Sequence, residues 1–99
     1  MKTTNAVDAL SALAHEQRLR VFRLLVKAGP AGLPAGRISA KLRSAPSSLS
    51  FHLKELDRAG LVTARQEGRF VIYSASFKAM DALVAYLTEN CCEGSTCAS

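Results

Sequence analysis

Ninety-nine residues with a net charge of +5 and an apolar share of 48% describe one globular domain, small enough that a second copy would help it bury a core. That apolar share excludes a disordered chain. No apolar run approaches the ~20 residues of a membrane helix, and no charged-then-apolar leader opens the chain, so the expected location is cytoplasmic with no membrane partner.

The first expected helix covers residues 5–14, with Val7, Leu10, Leu13 and Ala14 at helical spacing. A stronger one follows over 16–28, where Leu19, Phe22, Leu25 and Val26 form a stripe flanked by Val21 and Leu24. Gly29 and Pro30 end it. Pro34 suits the first turn of a short helix over 35–43 that buries Ile38 and Leu42 despite Gly36. Ser44 is the expected cap of the next helix, 46–59, with Pro46 in its first turn and Leu49, Leu53 and Leu56 facing inward. Gly60 ends that helix.

The apolar period then drops from 3.6 to 2. LVTAR and RFVIYS read as two strands around a hairpin at Gln66-Glu67-Gly68. Residues 76–90 return to helical spacing through Phe77, Met80, Leu83, Val84 and Leu87. The expected fold is mainly α with a β-hairpin wing: a winged helix-turn-helix. Two parts are expected, a winged-helix domain over 1–90 and a cysteine-bearing tail over 91–99.

Charge is unevenly spread. Residues 1–45 hold eight Lys/Arg against two acids, whereas 74–99 hold one Lys against three acids. A polyanion suits the front half, although a merely solvated surface would look the same. The leucine stripe of helix 46–59 turns Ser47, Ser48, Ser50, Phe51 and Lys54 outward. Serines at a helix N-terminus donate to phosphates or base edges, and Phe51 suits a thymine methyl or the neighbouring helix. His52, at the edge of the stripe, is a candidate for a phosphate or backbone hydrogen bond. Arg65 and Arg69, beside the hairpin tip, are candidates for a phosphate or the minor groove.

ALAHEQRLRVFRLL, LRSAPSSLSFHLKELDRAGLV and ARQEGRFVIYS together resemble the ArsR/SmtB family of metalloregulatory repressors over roughly residues 7–88. The resemblance implies a winged-helix homodimer on a palindromic double-stranded operator, paired through its first and last helices. It also implies repression by the inducer-free dimer and release when the inducer binds. The inducer is not implied, because family members carry different sites. A Cys-x-Cys pair before the recognition helix is absent, since that stretch reads RISAKLRSA. Histidine-containing zinc sites on the last helix are absent too; it offers Asp81 and Glu89 but no histidine.

All three cysteines, Cys91, Cys92 and Cys97, fall in the final NCCEGSTCAS. Zinc at a structural site wants a fourth protein ligand, and no further cysteine exists. A trivalent metalloid is satisfied by three sulfurs, its lone pair taking the remaining direction. As(III) fits best and Sb(III) fits the same pyramid, matching family members with a Cys-Cys pair and a third Cys beyond the last helix. Another soft metal, thiol oxidation and an inert tail are the competing readings. A disulfide runs against the reducing cytosol, and adjacent Cys91 and Cys92 sit too close along the chain for an ordinary bridge. A thiol-transfer enzyme is disfavoured because CCEGSTC contains no cation to lower a thiol pKa.

Overall fold

The computed structural model describes residues 1–94 and contains five α-helices and a three-stranded sheet among them. Helix α1 spans Thr3–Leu13 and buries Ala6, Ala9 and Ala12 rather than its larger side chains. An alanine face lets α1 lie close on the body, and it turns Val7 and Leu10 to solvent. The Thr3 hydroxyl and the Tyr86 hydroxyl, on the last helix, share a hydrogen bond.

Helix α2, Glu16–Ala28, starts after His15 and buries Val21, Phe22 and Leu25. It ends at Gly29, whose φ of 76° suits glycine and whose N–H returns to the Leu25 and Val26 carbonyls. A single 3₁₀ turn, Gly29–Ala31, leads to Gly32 and then to a strand absent from the sequence reading, β1, Leu33–Pro34. Proline is tolerated there because β1 is an edge strand.

Helix α3, Ala35–Leu42, buries Ile38 and stops at Arg43 in the left-handed region. The following turn is knitted by Ser39, whose hydroxyl donates to the Ser44 carbonyl at 2.5 Å while the Ser44 N–H returns to the Ser39 carbonyl at 3.1 Å. Ser44 therefore does not cap helix α4, Pro46–Arg58; Ala45 holds the cap position without a side-chain hydrogen bond. Leu49, Leu53 and Leu56 are buried as their spacing predicts.

Strands β2, Val62–Glu67, and β3, Phe70–Ala75, pair antiparallel from Val62↔Ala75 to Glu67↔Phe70. The sheet order is β1-β3-β2. That register leaves Gly68 and Arg69 as a two-residue turn, one residue beyond the expected tip. Gly68 at φ 62° supplies the positive φ that such a turn demands at its first central position. Helix α5, Phe77–Thr88, is capped by Ser76, whose hydroxyl accepts from the Ala79 N–H at 3.2 Å. Asn90 takes φ 56° after it, a conformation asparagine adopts more readily than most residues. The chain then makes a 3₁₀ turn at Cys91–Gly94.

Leu25, Ile38, Leu49, Leu53, Leu56, Leu61, Val21 and Val62 are the large side chains most completely withdrawn from water. They join α2, α3, α4 and the base of the hairpin into one core. Each contributes roughly 1.5–3 kcal/mol by burial, which is what fixes α4 in place with one polar face outward.

Candidate nucleic-acid interface

Ser47, Ser48, Ser50, Phe51 and Lys54 are all exposed, as the leucine register of α4 requires. The first turn of α4 contains no acid, and Pro46 occupies its start. Free backbone N–H groups and two hydroxyls thus face outward at the positive end of the helix, a combination that favours an anion. Phe51 is 54% exposed in the middle of this polar face. The Arg18 guanidinium lies over its ring, with Cζ 5.4 Å from the centroid. Arg18, in the first turn of α2, was not among the residues that sequence reasoning selected; helical spacing alone places it only on a wet edge.

His52 points the other way. It is 8% exposed, and its Nδ1 accepts a hydrogen bond from Arg18 Nε at 3.3 Å. The His15 ring stands 4.7 Å away, centroid to centroid, and the Phe51 ring 5.8 Å away. Burial, then the proximity of His15 and Arg18, holds the His52 pKa below the ordinary histidine value. The imidazole is therefore neutral near pH 7, with its free Nδ1 lone pair committed to Arg18. His52 thus braces α4 against α2 from inside.

The two wing arginines separate as well. Arg65 turns back onto the protein: Nη1 donates to the Pro30 carbonyl at 3.2 Å and to Ser74 Oγ at 3.0 Å, and Nη2 donates to the Ala31 carbonyl at 2.7 Å. Its Nε also pairs with the Glu67 carboxylate. All three guanidinium nitrogens of Arg65 thus have partners within the protein. Arg69 occupies the turn itself and makes no hydrogen bond or ion pair among the described residues. It is exposed, as is Phe70 beside it.

At the far end of the chain, Cys91 and Cys92 are exposed with their sulfurs 3.5 Å apart. Cys97 lies outside the described residues. Groups of three or more possible metal ligands are absent among the described residues, which include only two of the three cysteines.

A helix-turn-helix domain model matches residues 13–65, which run from the end of α1 through the first half of the wing. The transcriptional activator HlyU of Vibrio cholerae is 34% identical over 91 residues, covering 92% of this chain and 82% of its own. Its solved structure superposes with a TM-score of 0.72, covering 93% of this chain and 99% of that one. The chain belongs to the ArsR family of winged-helix transcriptional regulators. A putative arsenical resistance operon repressor of Halobacterium salinarum is 38% identical over 79 residues, covering 80% of this chain and 60% of its own. An ArsR-like regulator from Rhodococcus sp. RHA1 shares the fold at a TM-score of 0.80 and 23% identity, covering 91% of this chain and 82% of its own.

ArsR-family membership makes this a transcriptional regulator and not an enzyme. It leaves the signal open, since the relatives include an activator and an arsenical repressor. No helix among the described residues is long and apolar enough to cross a membrane.

Proposed function

We propose that the protein is a cytoplasmic, arsenite-responsive repressor that binds operator DNA as a homodimer and lets go when As(III), or Sb(III), is held by Cys91, Cys92 and Cys97. Residues 1–90 bind DNA and dimerise; residues 91–99 sense. The observation that carries this reading is the pair of exposed sulfurs 3.5 Å apart, placed by the Asn90 turn directly after α5. The third cysteine follows five residues later in the sequence. A trivalent metalloid needs only three sulfurs, whereas a closed zinc site takes four ligands. The ligand displaces the thiol protons itself, so the sensor requires no cation to activate the sulfurs.

Dimerisation is supported by apolar side chains left in solvent on the outer helices. Val7 and Leu10 of α1 and Val84 and Leu87 of α5 are all exposed. A homodimeric winged helix-turn-helix domain from Mycobacterium bovis has this fold, with a TM-score of 0.71. Ligand capture at the end of α5 then acts on the helix that joins the two copies. A differential affinity of ~1–3 kcal/mol between the two dimer geometries is enough to change operator occupancy.

A second signal that the same three cysteines suit is thiol oxidation. HlyU of Vibrio cholerae, which has also been solved in a form described as reduced, is 33% identical to this chain in that comparison.

Fluorescence anisotropy of a labelled promoter fragment decides between the two. Arsenite added under reducing conditions should release the wild type, and Cys91→Ser, Cys92→Ser or Cys97→Ser should abolish release. Release by a mild oxidant, with arsenite inert, would replace metalloid sensing by redox sensing.

A further inference from the structure

We infer that Arg65 is a positioning residue of the wing, a latch that sets the pitch of the β2–β3 hairpin, and that the wing's charged DNA contact is Arg69. This inference rests on the DNA-binding reading of the wing. A hairpin alone is marginally stable in water and needs a packed base to point in a fixed direction. Here the base is built from parts distant in the chain. The Arg65 fork reaches two carbonyls of the turn after α2, Pro30 and Ala31, and the hydroxyl of Ser74 on the neighbouring strand. Ser74 is buried and donates its own proton to the Pro30 carbonyl at 3.2 Å. Two more ties run beside it: β1 pairs with β3 at Leu33↔Tyr73 and Pro34↔Ile72, and Gly32 packs against the same segment of β3.

The geometry explains the choice of arginine. A planar fork satisfies several acceptors at once, which a lysine ammonium on a flexible stem does not reproduce. With Nε on Glu67 and both terminal nitrogens on the protein, Arg65 would have to surrender these acceptors to reach a phosphate. Loss of the half-buried contact with the Ser74 hydroxyl opposes that exchange. Arg65 faces Ile72, two pairs below the tip pair Glu67↔Phe70, so a small tilt at the latch is a larger displacement of Arg69.

The test uses a duplex recovered by repeated selection from a random library with the full wild-type chain. Arg69→Gln should lower the slope of log K against log salt by about one phosphate's worth. Arg65→Gln should lower that slope no further in an Arg69→Gln background, weaken binding roughly tenfold, and remove protection at the duplex flanks while the major-groove footprint remains. Arg65→Lys should not rescue it, and Ser74→Ala should weaken binding without adding to Arg65→Gln. A slope lowered by Arg65→Gln and restored by Arg65→Lys would overturn the proposal, because that is the signature of a phosphate contact. Amide exchange tests the latch without DNA: Arg65→Gln should speed exchange at Gly32 and along 70–74. Unchanged exchange there would refute the latch, whereas failure to enrich any duplex would refute the DNA reading instead.

Discussion

Arg18 Nε donates to His52 Nδ1 across 3.3 Å, and the same guanidinium lies over Phe51. One side chain of α2 thus holds two consecutive residues of the recognition helix, one facing inward and one facing out. The arrangement works only while His52 keeps a lone pair at Nδ1, because a protonated imidazole has two donors and no acceptor.

That requirement predicts a pH dependence. The folded pKa of His52 lies below 6.5, so the unfolded chain binds the proton more tightly and stability rises with pH. The contribution should be complete above pH 6.5 and fall away as pH drops through that value toward the lower folded one. Thermal melts between pH 8 and 5 should show a steeper acid loss in wild type than in His52→Gln. Parallel curves would mean that the histidine carries no such linkage.

Two glycines should respond oppositely to the same substitution. At Gly32, φ is +68° and an added Cβ would stand 2.5 Å from Ser74 Oγ and no farther from the Tyr73 carbonyl. Gly32→Ala should destabilise by about 3 kcal/mol, through backbone strain and the displaced β3 segment. At Gly36, in α3, an added Cβ meets nothing within 4 Å and φ is not in the left-handed region. Gly36→Ala should stabilise by about 0.5 kcal/mol through helix propensity. Urea titrations of the two variants supply both signs.

Dimerisation through the outer helices predicts a monomer that still folds. Val84 is 56% and Leu87 59% exposed, so neither supports the core of its own chain. An apolar groove of about 390 Å³, lined by Leu19, Phe22, Val26, Met80, Leu83 and Val84, lies beside them between α2 and α5. Val84→Asp with Leu87→Lys should sediment as a monomer with unchanged helical circular dichroism. Its affinity for DNA should collapse, because one recognition helix alone loses the second half-site.

The helices were legible because leucines recur at a spacing that only a helix can bury on one side. Leu49, Leu53 and Leu56 thereby gave the outward residues of α4 as well, and four serine and lysine positions plus Phe51 stand where the register puts them. Other features depended on contacts between distant segments. Strand β1 is two residues long and includes a proline, so it carries no alternation to read. Arg65 sits beside a turn like any DNA-reaching arginine, yet its acceptors at Pro30 and Ala31 are 35 and 34 residues away. His52 neighbours the stripe in projection, and only the crossing of α2 decides that it faces inward. The alanine face of α1 reads as weakly apolar in sequence, whereas packing makes it the buried side and releases Val7 and Leu10.

The exposed ring of Phe51 makes the last prediction, one about base preference. An aromatic side chain in the middle of a serine-rich face has no hydrogen bond to offer a base edge, so it contributes by touching something apolar. The apolar group that a major groove presents is the thymine methyl. Arg18 stacked above the ring limits its freedom and keeps it at the surface without burying it. In a selected duplex, replacing the thymine opposite Phe51 by deoxyuridine removes only that methyl. Wild type should lose about 1 kcal/mol of affinity on that change, at the low end for a base contact. Phe51→Ala should bind both duplexes alike. Equal binding of the two duplexes by wild type at every thymine would show that Phe51 reads no methyl, and would assign its ring to the contact with Arg18 alone.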